Sequence, residues 1–545
     1  MNSKRVGSYS PETMHSLLLE VPELRRYLYC KGFLLTTKTF GNRLDGYPFY
    51  GYWNEQTLKM QDSTYYLYTH SDTKVHIYQT EDLLFFLVGH AYDPFHSIID
   101  EKALLHVMSD SYRICENAYW DRESDLTGVF FTGFITPKGI TYSTDCCGMQ
   151  YVCYGMVDDN LYVTSHAKLV GDLCNLEQDG FVKHLVNSRT WHFYGRWLPG
   201  DLSPYKELKR LVPNIKADYS ARDKKILLTR YYPKRAIEET KTEEEYHDRI
   251  AELGKIMSNS MRLIAEKWKG ENVAISVTGG RDSMTTLACT NGMYDKYNYF
   301  SYISNEPESI DAYAAHEICG NLGLEHSIYT IPDTEENHRR TKAFATVLEC
   351  NAGCIGKNNA NDVRKRLYFI DNPKFSIEVK SWLNEMGRGW YYKKYKKDAF
   401  PKRPSASMLR TMHKPYLSPY TIHVTTKIFQ DWIDTYYSGN VLDNISWVDL
   451  FYWEFTWAGN EGISLTSEHR VSYEIVIPFN NRRYFELMLT LPLEKRKQDL
   501  MPIDLIGKMN KAILDSGIVV KDVNLSDMRT IMVRTYFTLF NKLRF

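Results

Sequence analysis

The clearest chemical signal in the 545 residues is a short polar sequence directly after an apolar run. A predicted strand over 273–277 leads into six residues that precede a predicted helix: Thr278, Gly279, Gly280, Arg281, Asp282 and Ser283. Glycines at such a junction let the backbone approach a ligand closely, and the first amides of a helix attract anions. The hydroxyl groups add hydrogen-bond donors, and Asp282 can hold a metal ion on bound phosphates. The spacing predicts an anion-binding loop with one carboxylate.

Two better-known phosphate motifs are absent from the sequence. No GxxxxG is followed by Lys and then Ser or Thr, so a Walker A loop is excluded. No GxGxxG follows a predicted strand either, so dinucleotide binding has no support. The alternative interpretation is structural, namely a Gly-Gly turn between a strand and a helix that Asp282 caps.

Two successive patterns of predicted secondary structure divide the chain, and the second contains the elements that must position this loop. The first 215 residues contain short predicted strands with frequent turn residues, at 32–36, 65–68, 75–79, 128–136, 139–143, 151–154 and 161–165. Near residue 240, Thr242 and Glu245 fit a capping box, and the helix that follows should stop at Gly270. Predicted strands 299–303 and 326–331 then alternate with helices, which indicates a parallel sheet. From about residue 430 the pattern is mostly helical.

Composition narrows the function classes. Lys plus Arg and Asp plus Glu both number 67, which gives zero net charge and no general attraction to nucleic acid or anionic membranes. The longest apolar run, around 83–88, is too short to span a bilayer, and the first residues contain no apolar segment of the secretory type. We therefore expect a cytoplasmic protein. Its ten cysteines are expected to be reduced thiols in a long chain without a secretory signal, and their spacing does not indicate a zinc site.

The loop resembles the pyrophosphate loop of N-type ATP pyrophosphatases. Segments 299–326, 376–392 and 473–492 narrow the resemblance to asparagine synthetase-like proteins, a family that includes β-lactam synthetases and lasso-peptide cyclases. The resemblance implies ATP and Mg²⁺ as cofactors. It also implies that a carboxylate attacks the α-phosphorus of ATP, releases pyrophosphate and forms an acyl-adenylate that an amine captures.

The resemblance also assigns site residues. The nucleotide-binding set is Val277, Thr278, Gly279, Gly280, Arg281, Asp282, Ser283, Ile303 and Ser381, with Val277 and Ile303 flanking the adenine. Asp282 and Glu385 are the expected metal ligands, although the family carries three acidic residues where this chain keeps Glu385. Asp282 and Glu385 are also expected to be catalytic, with Arg388 as a fixed positive charge near the leaving group. The family's amide-forming lysine falls on Asp504, so we expect Lys508, one turn later, to supply that charge and to pair with Asp504.

The first half of the chain resembles the family's glutaminase domain more faintly, over 126–130, 142–154 and 161–166. The implied architecture is an N-terminal Ntn-hydrolase-like αββα sandwich, a degenerate glutaminase, over 1–230. An α/β parallel-sheet synthetase domain of the adenine nucleotide α-hydrolase-like (PP-loop) type follows over 231–545. A glutaminase of this type needs an N-terminal cysteine. The sequence begins Met1-Asn2-Ser3, so we expect no glutaminase chemistry unless processing exposes Cys30.

The expected function is that of an ATP-dependent, AMP-forming ligase that joins a carboxylate to an amine or ammonia. Two alternatives stay open: a PP-loop enzyme that activates a different electrophile, and a catalytically inactive nucleotide-binding scaffold. The expected partners are small-molecule or peptide carboxylate and amine substrates, without nucleic acid or membrane. A homodimer is left open.

Overall fold

A computed structural model describes residues 9–41, 50–61, 63–194, 197–333, 338–356, 359–518 and 527–542. The strands are β1 (Phe33–Thr36), β2 (Trp53–Met60), β3 (Ser63–His70), β4 (Val75–Gln79), β5 (Leu84–Tyr92), β6 (Thr127–Thr136), β7 (Gly139–Thr144), β8 (Cys153–Val157), β9 (Asn160–Thr164), β10 (Leu208–Arg210), β11 (Ile215–Ser220), β12 (Lys225–Arg230), β13 (Val273–Ser276), β14 (Asn298–Ile303), β15 (His326–Thr330), β16 (Ile377–Val379) and β17 (Glu474–Val476).

The α-helices are α1 (Pro11–Glu20), α2 (Glu101–Ile114), α3 (Glu116–Ser124), α4 (Ala167–Cys174), α5 (Gly180–Val186), α6 (Arg189–Tyr194), α7 (Glu243–Lys267), α8 (Arg281–Cys289), α9 (Glu306–Asn321), α10 (His338–Asn351), α11 (Ala360–Asp371), α12 (Trp390–Tyr395), α13 (Ala406–His413), α14 (Pro419–Tyr436), α15 (Val441–Asn444), α16 (Trp447–Phe451), α17 (Gly462–Ser467), α18 (Arg482–Leu489), α19 (Leu493–Lys497), α20 (Leu500–Asn510), α21 (Ala512–Asp515) and α22 (Met528–Lys542). None of these helices combines the length and the apolar composition needed to cross a bilayer.

Two antiparallel sheets form a sandwich in the first part of the chain. Their strand orders are β10-β8-β9-β1-β3-β2 and β12-β11-β7-β6-β5-β4. Because side chains alternate along a strand, one face of each sheet packs against the other sheet, as Leu35 and Phe86 do. The opposite faces are covered by helices, with Leu34 in the cluster of α1 and α4, and Phe85 in the cluster of α2 and α3. The expected helix–sheet–sheet–helix arrangement is present.

The third sheet is parallel, in the order β15-β14-β13-β16-β17. The chain builds outward from β13 through β14 and β15, and then returns to add β16 and β17 on the other side of β13. The strand order therefore reverses between β13 and β16. In open parallel sheets such a reversal opens a crevice at the carboxyl ends of the strands, where ligands bind.

One continuous apolar core joins the sandwich to the parallel sheet, since Phe130 of β6 and Ile275 of β13 belong to the same buried cluster. Arg230, the last residue of β12, also binds Glu454 at 2.9 Å through Nη2. Glu454 lies in a π-helical stretch, Tyr452–Glu461, that continues α16 into α17. The proposed domain boundary at residue 230 falls at the end of β12 and remains a prediction.

Most predicted elements appear near their expected limits. The capping box of Thr242 and Glu245 forms at the start of α7, and Gly270 follows its end with φ of +93°. The helix after the loop starts earlier than expected, at Arg281. Seven strands were not predicted, namely β2, β5, β10, β11, β12, β16 and β17, although an apolar run marked part of β5.

Candidate functional site

A cavity of about 350 Å³ opens where the order of the parallel strands reverses. Its walls come from the carboxyl ends of three neighbouring strands, including Val277 after β13, Tyr302 of β14 and Ser381 after β16. Residues Thr278, Gly280, Asp282 and Ser283 of the predicted loop line the same cavity. The sequence motif and the topological crevice therefore coincide.

Ser283 holds the loop closed on itself. Its Oγ accepts a hydrogen bond from the Thr278 amide at 3.0 Å and lies 2.8 Å from the Thr278 carbonyl oxygen, to which it can donate. The Gly280 amide donates to Thr278 Oγ1 at 3.1 Å. Gly280 has φ of −82°, so the glycine is not needed for a left-handed backbone. What it provides is the absence of a side chain at the start of α8.

The first turn of α8 has no side-chain cap, since Gly280 occupies the N-cap position. The amides at such a helix start carry a partial positive charge and favour an anion. The alternative role of Asp282 as a structural cap is not observed. Asp282 instead follows the helix start and lines the cavity.

Asp282 and Glu385 are the two carboxylates that the sequence predicted as metal ligands, and both line the cavity. The Oε2 atom of Glu385 is buried and has no hydrogen-bond partner. Burial, together with the nearby charge of Asp282, raises the pKa of Glu385 well above its usual range. Two neighbouring carboxylates, one of which has a buried oxygen without a hydrogen-bond partner, suit a hard divalent cation that prefers oxygen ligands. The donor set fits Mg²⁺.

Arg388 lies behind Asp282. Its Nη1 donates to Asp282 Oδ2 at 3.1 Å, and its Nε donates to Asp499 Oδ1 at 2.7 Å. Asn384 holds the other oxygen of Asp282 through a 2.9 Å hydrogen bond. Arg388 is 8% exposed and is not among the residues that line the cavity. Arg388 therefore positions Asp282, and it is not the free charge near the leaving group that we expected.

Lys393 joins the same network. Its Nζ donates to Asp499 Oδ1 at 2.7 Å. The pKa of Asp499 falls because Arg388 and Lys393 outweigh the effect of burial. Lys393 lies in a run of four lysines within residues 393–397, a pattern typical of a solvated face, but its ion pair with Asp499 makes it part of this network.

A lysine that the motif analysis did not single out lies in the cavity wall. Lys380 follows β16, its side chain is 8% exposed, and its Nζ lies 3.1 Å from Oε1 of the fully buried Glu378. Burial alone would raise the pKa of Glu378, but the charges of Lys380 and Arg366 hold it below its usual value. The Lys380 ammonium also lies 5.0 Å from the ring centroid of Trp382, another cavity residue. The cavity thus contains a buried, oriented positive charge.

The remaining predicted nucleotide-binding residues are only partly brought together. Ser381 lines the cavity and shares a 2.7 Å hydrogen bond with Thr286 of α8. Ile303 ends β14 but is not among the residues that line this cavity. Gly279 and Arg281 also lie outside the lining, and Arg281 points its Nη1 at Asp499, 3.4 Å away.

Lys508 does not reach the cavity in the described structure. It is exposed on α20, and the pair with Asp504 that we expected does not form, because Asp504 Oδ2 accepts a 2.6 Å hydrogen bond from Tyr246 of α7. The apolar side of α20, with Leu505 and Ile506, is buried. That packing sets the orientation of the helix and leaves Lys508 towards solvent.

Cys30, the alternative nucleophile of the first half, is 3% exposed. Burial raises the pKa of its thiol to about 11. The thiolate is the nucleophilic form of cysteine, so this environment disfavours covalent chemistry.

No family model and no curated protein matches this chain. Among solved structures, an allosteric regulatory enzyme of purine biosynthesis is similar over 49% of this chain and 59% of its own, with 10% identity and a TM-score of 0.24. The glutamine phosphoribosylpyrophosphate amidotransferase of B. subtilis, complexed with ADP and GMP, is similar over 71% of this chain and 76% of its own, with 9% identity and a TM-score of 0.22. The glutamine-dependent NAD⁺ synthetase of Acinetobacter baumannii in complex with ADP is similar over 65% of each chain, with 13% identity and a TM-score of 0.18. At these scores the similarities carry no functional argument, and the chain spans only about three fifths of the first structure.

Proposed function

We propose that this protein is an ATP-dependent, AMP-forming ligase that joins a carboxylate to an amine. The observation that carries the proposal is the uncapped start of α8 beside Asp282 and Glu385 in the crevice where the strand order reverses. A helix start attracts the anionic phosphates, and the carboxylates can hold the divalent cation that accompanies them. Mg²⁺, when bound by Asp282 and Glu385, would supply charge neutralisation for the phosphates.

The proposed first step is an in-line displacement at phosphorus. A carboxylate oxygen of the acid bonds to the α-phosphorus of ATP, and the bond between that phosphorus and the bridging oxygen to the β-phosphorus breaks. Pyrophosphate leaves with both electrons of that bond. The amides of the loop and of the first turn of α8 would hold this leaving group, while Arg388 keeps Asp282 oriented through its 3.1 Å hydrogen bond.

The proposed second step is acyl transfer. The amine nitrogen attacks the acyl carbon, the bond to the AMP oxygen breaks, and the nitrogen loses a proton. Negative charge develops on the acyl oxygen and the phosphate. Lys380, buried in the cavity wall and paired with Glu378, is our candidate for holding the phosphates of the bound nucleotide and for stabilising that charge. Lys508 is withdrawn from this role, because it is exposed outside the cavity lining.

The amine is proposed to reach the enzyme free, either as ammonia or as part of a substrate. This follows from the burial of Cys30 and its raised thiol pKa of about 11. The carboxylate and amine partners are taken to be small molecules or peptides. The homodimer and the cytoplasmic location stay predictions.

The test is exchange of labelled pyrophosphate into ATP, measured with the full-length protein and a panel of carboxylic acids. We expect exchange that depends on one class of acid, and we expect Asp282→Asn to abolish it. Asp295→Asn is a matched control, because Asp295 is an exposed acid paired with Lys296 after α8. If Mg·ATP binds but no acid supports exchange, the scaffold alternative replaces the ligase.

A further inference from the structure

A second and larger cavity, of about 750 Å³, lies between the sandwich and the amino ends of strands β16 and β17 in the parallel sheet. Gly89 and His90 of β5 line it from one side, and Ser376 and Glu474, at the beginnings of β16 and β17, line it from the other. It is separate from the proposed nucleotide site, which lies at the carboxyl ends of β16 and of its neighbours β13 and β14. Its volume is in the range of small-molecule sites.

The charges that line this cavity favour an anion. Five basic side chains face three carboxylates, and several of them are already paired. Lys31 lies 3.3 Å from Glu474, and Arg470 donates to the same carboxylate at 2.8 Å, so two cations share one anion. Lys74 and Lys374 are exposed and form no ion pair within the described part of the chain. The lining therefore has an excess of positive charge.

His90 adds an unsatisfied acceptor. The residue is 4% exposed, and its Nε2 donates to the Ile475 carbonyl at 3.0 Å. Its Nδ1 atom is buried and has no hydrogen-bond partner. Burial lowers the pKa of His90 to about 4, so the ring is neutral and Nδ1 carries a free lone pair. A buried acceptor of this kind calls for an O–H or N–H donor.

Aromatic side chains complete the wall. Trp268, Phe375 and Tyr473 all line the cavity and are 7%, 7% and 5% exposed. Their apolar faces suit a flat or apolar body.

We propose that this cavity binds a small organic anion that has an apolar or aromatic body and an O–H or N–H group. The basic side chains hold the negative group, the aromatic wall holds the body, and His90 Nδ1 accepts the hydrogen bond. Neither the proposed nucleotide site nor its chemistry uses this cavity.

A ligand bound in this cavity should change the affinity of the nucleotide site, a consequence that rests on the proposed function. Ser376 and Ile377 line the large cavity, whereas Lys380 and Ser381 line the nucleotide cavity. The short strand β16 lies between them, a span of about 10 Å at roughly 3.3 Å per residue. A ligand that orders the start of β16 and β17 would also order Lys380, so we expect it to tighten Mg·ATP binding.

The probe is 4-hydroxybenzoate, titrated by calorimetry into the full-length protein without nucleotide. We expect saturable binding, about two- to tenfold weaker binding of 4-methoxybenzoate, which lacks the O–H, and no binding of the neutral 4-hydroxybenzamide. Replacing both exposed lysines (Lys74→Ala with Lys374→Ala) should weaken the probe about fivefold, by removing two solvent-exposed charges. Lys427→Ala, which removes an exposed lysine of α14, is the control and should change nothing.

Absence of saturable 4-hydroxybenzoate binding would overturn the site, and so would equal binding of the amide or indifference to the double substitution. These measurements contain no ATP, so they can fail or succeed independently of the ligase proposal. The consequence for the nucleotide site is measured as the Mg·ATP dissociation constant with and without saturating probe. A weak allosteric coupling should lower the Mg·ATP dissociation constant by at least about threefold when the probe is bound. An unchanged dissociation constant would refute the coupling.

Discussion

Replacement of Lys380 by methionine should weaken Mg·ATP binding. Lys380 is the buried cation of the nucleotide cavity, with its Nζ 3.1 Å from Glu378 and its side chain 8% exposed. A hydrogen bond from a charged group contributes about 1.5–3 kcal/mol, which corresponds to a dissociation constant roughly 10- to 150-fold higher. Methionine keeps much of the volume of the lysine stem, so the change is mainly one of charge.

Stability provides the second measurement for the same substitution. Removing Lys380 leaves Glu378, which is fully buried, with one charge partner fewer. Breaking a buried pair typically costs about 3–5 kcal/mol, whereas replacing both partners by neutral groups costs much less. The double variant Glu378→Gln/Lys380→Met should therefore regain stability in denaturant titrations. It should not regain ATP affinity, because the positive charge that we propose to hold the nucleotide is still missing.

Calorimetric titration with Mg·ATP at fixed salt is the assay, and Lys508→Ala is the matched control. Because Lys508 is exposed on α20 and outside the cavity lining, its removal should change the dissociation constant by less than about twofold. Equal and small effects of Lys380→Met and Lys508→Ala would refute the assignment of Lys380. A large effect of Lys508→Ala alone would contradict the position of Lys508 outside the nucleotide cavity.

Three further predictions concern the loop, the carboxylates and the sandwich. Ser283→Ala removes the hydroxyl that accepts a hydrogen bond from the Thr278 amide at 3.0 Å, so it should lower the free energy of unfolding by about 1–3 kcal/mol and also lower the affinity for Mg·ATP. The control is Ser309→Ala, at a half-buried serine of α9 that lies outside the cavity lining. Unchanged affinity of Ser283→Ala would contradict the proposed role of the loop. Because the pKa of Glu385 is raised, a proton competes with the cation, so Mg·ATP affinity should still rise with pH above the range in which an ordinary carboxylate titrates. Glu385→Gln should flatten that profile. A wild-type profile as flat as that of the variant would count against a cation at Glu385. The purified protein should release no glutamate from glutamine, because burial raises the pKa of the Cys30 thiol to about 11 and so disfavours its nucleophilic form. Glutamine hydrolysis that Cys30→Ala abolishes would show that Cys30 is a nucleophile and would contradict this prediction.

The loop and its flanking elements could be predicted because their determinants are local. An apolar run, two glycines and a following amphipathic segment specify β13, the turn and α8 with little help from the rest of the chain. The capping box of Thr242 and Glu245 is local in the same sense. Strands β16 and β17 contain three residues each, too few for a periodic signal, and only the parallel neighbours define them.

The orientation of side chains towards the site was not predictable in the same way. For Asp504 and Lys508 the helical spacing was right, but the partner of Asp504 is Tyr246, 258 residues away, and that contact depends on how α20 packs against α7. Lys380 did leave a signal that was overlooked. Glu378 and Lys380 alternate with Ile377 and Val379, so two charges occupy one face of a strand that should be buried on both faces. Charges in such a position need a partner or a ligand.

The central claim is that a carboxylate attacks the α-phosphorus of ATP in the cavity beside Asp282. The most direct test follows the transfer of an oxygen atom from the acid to AMP. The acid that supports pyrophosphate exchange is labelled with ¹⁸O in its carboxylate and incubated with the enzyme, ATP, Mg²⁺ and an amine. The nucleotide product is then analysed by mass spectrometry. Acyl-adenylate formation followed by amine capture predicts AMP that carries one ¹⁸O atom from the acid. Unlabelled AMP, or ADP as the product, would contradict the proposed chemistry.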